Sequence, residues 1–210
     1  MHIVNKLKLI KPFIDICFHP ERTENVLKIQ RCINNMASEK QKNLVVEYFL
    51  WKHTDLVVKR KVMTIPKGGT THINSLSAQM RAFYYGGGLY LQDLKVYPGE
   101  NLTDFEFITN HMWEGHDMTH VLIDADTDGI GEIKTYGFLN AQYPSQMSVI
   151  LIAIGFLNTL LNMGEVGERL DAFHDGYRIG KKAKSIVGVD WNKYWDRPID
   201  DVRKEFNIHV

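Results

Sequence analysis

The residues best placed to do chemistry are His116-Asp117-Met118-Thr119-His120, followed by Glu132 after eleven intervening residues. Successive helical residues advance by about 100°, so positions i, i+1 and i+4 point at about 0°, 100° and 40°. His116, Asp117 and His120 then share one arc. Two imidazoles one turn apart can grip a divalent cation, and a carboxylate from the next element can complete the shell. Glu132 lies beyond a short glycine-containing loop, where a helix–loop–helix returns it to the histidines. The two histidines also fall on the stripe of Ile108 and Met112. That leaves a plainer alternative open: two buried histidines, each satisfied by a hydrogen bond.

A second cation pattern overlaps the first. Asp124-Ala125-Asp126-Thr127-Asp128-Gly129 fits the opening of an EF-hand-like calcium loop, with oxygens at Asp124, Asp126 and Asp128 and a glycine for the turn. Its twelfth position is Thr135, where a bidentate glutamate belongs, and its eighth is Gly131. The same carboxylates could instead hold magnesium near the histidines and receive a phosphate or diphosphate head group, or form an acidic turn in solvent. Lys59-Arg60-Lys61, with Lys52 and Lys67, is a basic cluster that reads as a solvated face or as a contact for anionic lipid. Gly86-Gly87-Gly88 lacks the Gly-Lys-Ser/Thr ending of a phosphate-binding loop.

Helices must position these groups. Val26, Ile29, Ile33 and Met36 have helical spacing within 22–36, with Pro20 and Thr23 as a start signal. Ser38 and Gln41 open a helix over 38–51 with Leu44, Val45, Tyr48 and Trp51 on one face. Residues 64–101 carry Pro66, Gly68-Gly69, the Gly86–Gly88 run and Pro98-Gly99, and read as loop-rich with one short helix near 74–84. Thr103-Asp104 cap the helix bearing the histidines, which breaks at 124–131. Helices over 131–142, 145–163, 168–187 and 198–205 follow, with Pro144 between the first two. No alternating strand stands out. The expected fold is mostly α, a single helical domain over 1–210 with a loop-rich middle and a buried apolar helix near 145–163.

The apolar run 149–161 has two polar interruptions and falls short of the about 20 residues a membrane span needs. It reads as a buried helix, or as one lining a pocket for an apolar ligand. The chain has 210 residues, is 44% hydrophobic and balances 25 Lys+Arg against 25 Asp+Glu. Zero net charge argues against a dedicated nucleic-acid binder. The apolar content excludes a disordered chain. Two cysteines, Cys17 and Cys32, suit apolar filler in a reducing compartment better than a disulfide scaffold. No secretory signal is expected. Trp191 and Trp195 are expected to anchor the C-terminal packing.

The pattern His-Asp-x-x-His, eleven residues, Glu resembles the signature of the ubiquinone (coenzyme Q) biosynthesis protein 4 family. Val121-Leu122, Thr127-Asp128, Gly131-Glu132, Asp190-Trp191 and Pro198-Ile199-Asp200-Asp201-Val202-Arg203 are similar to that family's flanking and closing motifs. The resemblance spans roughly 103–206. It departs at Asp124 and Asp126, where the family has glycines, and no leucine-proline-glycine motif is recognisable around 64–101. The resemblance implies a metal site at His116, Asp117, His120 and Glu132, with zinc as the usual ion and iron, cobalt or magnesium as alternatives. It implies a cytoplasmic chain peripheral to a membrane, acting with other quinone-biosynthesis proteins and open to homo-oligomerisation. The implied activity is metal-dependent oxidative decarboxylation of a prenylated hydroxybenzoate-type precursor. A prenylated aromatic or prenyl-phosphate lipid would need an apolar lining, for which Met147, Ile150, Ile154, Leu157 and Met163 are the candidates. Two alternatives are a non-catalytic prenyl-lipid-binding scaffold and a calcium- or magnesium-binding module at 124–128.

Overall fold

In the computed structural model the described residues are 2–19, 24–60, 62–66, 72–87, 95–143, 145–160 and 163–210. Pro20, Thr23, Lys61, Lys67, Gly68-Gly69, Gly88, Pro144 and Leu161 lie outside them, as does the side chain of Met163. Nine α-helices run through the described residues: α1 His2–Phe18, α2 Glu24–Met36, α3 Glu39–Lys59, α4 Leu76–Gly87, α5 Asp104–Ile123, α6 Gly129–Gln142, α7 Gln146–Thr159, α8 Val166–Lys182 and α9 Ile199–Glu205. Short 3-10 turns lie at Met163–Glu165 and Trp191–Lys193. The described residues contain no strand, only an isolated bridge between Ser75 and Pro198. The all-α, single-domain expectation holds.

Local signals explain most boundaries. Ser38 caps α3 through a reciprocal capping box with Gln41, and Thr103 does the same for α5 with Glu106. Asp128 caps α6, accepting hydrogen bonds from Ile130 N and Gly131 N, so this helix starts at Gly129 rather than 131. The expected helix over 38–51 ends just before His53, whose non-helical φ of −138° kinks α3 before it resumes to Lys59. Helix α7 stops at Thr159 and α8 at Lys182, both short of the expected ends. Past α8, the Gln142 side chain donates to Gly180 O and accepts from Ile186 N, drawing the chain out of helix and into the core. Helix α1 carries Pro12 inside it, a residue that weakens any helical reading of the N-terminus.

The core gathers Ile29, Leu76, Met80, Met118, Leu122, Ile123, Phe138 and Val202, all fully buried. Burying a side chain of this kind contributes about 1.5–3 kcal/mol. Trp191 and Trp195 are buried as expected, and Trp191 packs against Tyr194 and Phe206. Both cysteines are free, Cys17 buried and Cys32 half-buried. No described helix is long and apolar enough to cross a membrane.

One contact sets the frame for the site. A Cβ at Gly176 of α8 would lie 1.9 Å from Lys134 O of α6, and one at Gly137 of α6 would lie 2.5 Å from Phe173 O of α8. Only glycines let these two backbones approach so closely. Helix α6 is thereby clamped between α8 and α5, with Glu132 in its first turn.

Candidate metal centre

Helix α5 ends at Asp124, whose left-handed conformation (φ 53°) turns the chain back toward α6. Aspartate tolerates this region better than most side chains. The return brings Glu132 against His116 and His120. Their ligand-type atoms lie within 4.8 Å of one another, the one such group among the described residues. Glu132 Oε2 is 3.3 Å from His116 Nε2, and Oε1 is 3.3 Å from His120 Nε2.

Each imidazole is anchored on its other nitrogen. His120 Nδ1 lies 3.1 Å from Ala125 O and 3.0 Å from Asp126 O. Carbonyls only accept, so Nδ1 carries the hydrogen and Nε2 presents a lone pair. That Nε2 is buried and has no hydrogen-bond partner. His116 Nδ1 faces Asp117 Oδ1 at 3.2 Å, so in the neutral ring its Nε2 is the nitrogen left to present a lone pair, toward a Glu132 oxygen. Two imidazole nitrogens aimed at one carboxylate need a positive charge between them, a proton or a metal ion. The residues fit a divalent metal ion, and the donor set of two histidines and a carboxylate is one zinc accepts.

Without a metal a proton takes that place: burial by itself would lower the His116 pKa, but the charge of Glu132 and the hydrogen bonds the ring donates to both carboxylates raise it to about 10. Burial would raise that of Glu132, yet the two histidines hold it well below the usual carboxylate range. The pocket favours positive charge among these three side chains. The Glu132 side chain is 37% exposed, so the group has a solvent side.

On the other side lies an apolar cavity of about 650 Å³, within the range of small-molecule sites. Its wall comes from Ile33 and Asn34 of α2, Leu44, Val45, Tyr48 and Phe49 of α3, Ile108, Met112, Trp113 and His116 of α5, Tyr136 and Leu139 of α6, and Met147 of α7. Tyr136 packs beside the His116 ring, with centroids 5.1 Å apart. Burial, then the charge of Glu132, keeps its phenol protonated far above the ordinary range.

The structure gathers only part of the sequence-derived set. His116, His120 and Glu132 converge. The Asp117 carboxylate does not join them and accepts from Tyr84 Oη at 2.8 Å. The acidic loop forms no cluster. Asp124, Asp126 and Asp128 are exposed, Asp128 is occupied in capping α6, and Asp124 O accepts from Lys134 Nζ at 3.2 Å. Of the proposed lipid lining, Met147 faces the cavity. Ile154 is buried in the main core, Ile150 packs against it, and Leu157 is 42% exposed. From α7 the cavity takes only Gln146, Met147 and Ser148, in its first turn.

Tyr84, Trp113 and Tyr136 escaped the sequence reading. Trp113 and Tyr136 had a usable signal, standing three residues before His116 and four after Glu132, one turn from each ligand. Tyr84 had none, because α4 is remote in sequence.

The family model for coenzyme Q (ubiquinone) biosynthesis protein Coq4 matches residues 101–210. Among named relatives, the mitochondrial ubiquinone biosynthesis protein COQ4 homolog of Anopheles gambiae is 27% identical over 106 residues, 50% of this chain and 36% of that protein. The homolog of the same name from Danio rerio is 24% identical over 106 residues, 50% of this chain and 38% of that protein. The match spans little more than a third of either relative's length. Among solved structures, a candidate ubiquinone biosynthesis protein from Nostoc punctiforme shares the fold, with a TM-score of 0.76 at 18% identity over 98% of this chain and 99% of that one. With its matching segment running from the cap of α5 to the C-terminal residue, and the convergent histidines and glutamate inside it, the chain belongs to the Coq4 family of coenzyme Q (ubiquinone) biosynthesis proteins.

Proposed function

We propose that this protein binds a divalent metal ion, zinc in the first instance, and acts with it on a prenylated aromatic acid of quinone biosynthesis. The observation that carries this reading is one wall: His116 belongs both to the metal group and to the lining of the apolar cavity. A ligand with a prenyl tail and an acidic ring matches that juxtaposition, tail in the cavity and ring at the histidines. When bound, the ion supplies Lewis acidity toward the ring's carboxylate or phenolate. The chain's own residues supply the rest. Ile108, Met112, Trp113 and Leu139 exclude water from the tail, and Tyr136 offers a protonated phenol beside His116. The carbon–carbon bond to the ring carboxyl breaks, carbon dioxide leaves and a proton takes its place on the ring carbon. In the oxidative form, water supplies the oxygen of the new ring hydroxyl and dioxygen, the oxidant, is reduced to hydrogen peroxide. Iron or cobalt would suit that form, since mixed imidazole and carboxylate shells accept them.

A membrane surface is the partner that fits the cavity's mouth. Leu44, Val45 and Tyr48 line the cavity and are also exposed, and Trp51 one turn on is 76% exposed. Lys52 Nζ sits 5.4 Å from the Tyr48 and Trp51 ring centroids. Aromatic rings with lysine heads suit the interface between head groups and acyl chains. This supports delivery of a lipid substrate from a bilayer into the cavity.

The test is turnover of a prenylated 4-hydroxybenzoate-type acid by metal-loaded protein, following substrate loss and carbon dioxide release. We expect release by the wild type and none by His116→Ala/His120→Ala. A wild type that binds the prenyl lipid in the cavity without converting it would replace this reading with the non-catalytic scaffold, which the same cavity would serve.

A further inference from the structure

We infer that the hydroxyls of Tyr136 and Tyr143 serve the ligand of the cavity rather than the fold: they donate hydrogen bonds to oxygen atoms on an aromatic head group, and so select an oxygenated ring over a bare prenyl chain. The inference deepens the substrate reading above. It rests on the cavity wall and not on the metal.

The observation is a contrast among the polar side chains of that wall. Asn34, Thr109, Gln142 and Ser148 line the cavity, and each is bonded within the protein. Asn34 donates to Tyr97 Oη, Thr109 to Phe105 O, Gln142 to Gly180 O and Ser148 to Ser145 O. Tyr136, Tyr143 and Trp113 line it too, yet no described residue bonds to either phenol oxygen or to the indole N–H. Tyr136 is nevertheless buried and Tyr143 half-buried. Buried hydroxyls usually find a partner, and taking one from water without a partner costs stability. Phenylalanine would fill the same volume without that cost, so packing does not account for the two oxygens.

Position does account for them. Tyr136 and Tyr143 are seven residues apart, nearly two helical turns, so both leave the same side of α6. Tyr136 and Trp113 pack against the His116 ring, with centroids 5.1 and 5.9 Å away. Tyr143 shares a small void with Met112 and Gly115 of α5, the latter adjoining His116. The unpartnered donors thus gather at the histidine end of the cavity, among rings that suit a flat aromatic by stacked or edge contact. Farther along α5 the wall offers Ile108 and Phe105, which suit a hydrocarbon tail. Burial raises both phenols above their ordinary range, so each keeps its hydrogen and donates to ether, carbonyl or hydroxyl oxygens.

The experiment is calorimetric binding of two probes to the full chain: geranylhydroquinone, and geranylbenzene, which has the same tail and no ring oxygen. Neither carries a carboxylate. The wild type is compared with Tyr136→Phe and Tyr143→Phe, with metal content and Tm measured for each. Wild type should prefer geranylhydroquinone. Each variant should bind it about 2–10-fold more weakly, as expected for one hydrogen bond, and bind geranylbenzene as before. Metal content should not change, and Tm should stay equal or rise. Unchanged geranylhydroquinone affinity in both variants, or equal loss for both probes, overturns this inference alone. A lower Tm in both variants would show that the hydroxyls serve the fold, and also overturns it. Geranyl monophosphate losing more affinity than geranylhydroquinone would overturn the aromatic assignment. A wild type that binds neither aromatic probe overturns the substrate reading of the cavity and this inference with it.

Discussion

Substituting Gly131 by alanine would test how the loop before α6 governs the metal group. An added Cβ at Gly131 would stand 2.0 Å from Asp126 O, whereas ordinary contact begins at 3.4 Å. The carbonyl must retreat by more than an ångström or the first turn of α6 must shift. Asp126 O lies 3.0 Å from His120 Nδ1, so such a retreat breaks that hydrogen bond and leaves Ala125 O as the single anchor. Loss of an outer hydrogen bond to a metal-binding histidine weakens the metal by about 10–100-fold, or about 1.4–2.7 kcal/mol. The assay is zinc titration against a competing chelator, with circular dichroism to confirm helicity. Gly115→Ala is the control, since a Cβ there meets nothing within 4 Å although it adjoins His116. Gly115→Ala should keep wild-type affinity and gain about 0.5–1 kcal/mol of helix stability. A folded Gly131→Ala protein that binds zinc as tightly as the wild type would refute the claim that this carbonyl positions His120.

Three further outcomes are expected. Gly176→Ala places a methyl 1.9 Å from Lys134 O and should drive α6 from α8, costing about 3 kcal/mol and lowering Tm by roughly 6–12 °C in a thermal melt; an unchanged Tm would show the helices slide freely. His111 is buried, and desolvation followed by the charge of His53 lowers its pKa to about 4 from an ordinary 6.5. The unfolded chain thus takes up this proton first, and its contribution, present above pH 6.5, is lost as pH falls toward 4, by about 3 kcal/mol; metal-free His111→Gln should lose less stability over that window in denaturant titrations, and an identical loss would remove His111 as the cause. Trp51→Glu together with Leu44→Glu should reduce co-sedimentation with anionic vesicles several-fold while leaving zinc content unchanged, and equal sedimentation would move the membrane face away from α3.

Much of the architecture could be read from local signals because those signals act locally. Ser38 with Gln41 and Thr103 with Glu106 fix helix starts through hydrogen bonds within four residues, and both are formed. His116, His120 and Glu132 were legible because a helical turn and one short loop suffice to bring them together. Asp117 shows the limit of the same reasoning. Its place on α5 is sequence-local, but its carboxylate also accepts from Tyr84, thirty-three residues earlier in the chain. The cavity lining was misplaced along α7 for a related reason. Hydropathy marks Ile150, Ile154 and Leu157 as apolar without saying which neighbour they meet. Here α1, α2 and α6 pack along that helix, and only its first turn, Gln146, Met147 and Ser148, reaches the cavity. The acidic loop read as a cation site because its spacing matches one. Its carboxylates are drawn instead to capping and to solvent.

The division between recognisable and unrecognisable sequence has a physical basis that bears on specificity. The family match runs over 101–210, which holds α5, α6 and α8. This part demands particular residues: two histidines one turn apart, a glutamate opposite, glycines where backbones touch, an αL turn between. Few substitutions preserve those geometries. Helices α2 and α3 supply much of the cavity wall, and at Ile33, Leu44, Val45 and Phe49 the demand is for apolar volume, which many side chains meet with little loss of stability. Sequence can drift in such a wall while the fold persists, as the shared fold with the Nostoc punctiforme protein at 18% identity shows. It follows that exchanging Leu44, Val45, Tyr48 or Ile33 should alter which tail the cavity accepts without touching the metal. Ile33→Trp would narrow the cavity from its α2 side. Binding of longer prenyl chains should then weaken before that of shorter ones, with zinc affinity unchanged. Equal loss for all tails, or loss of zinc, would show that wall and metal centre are not separable.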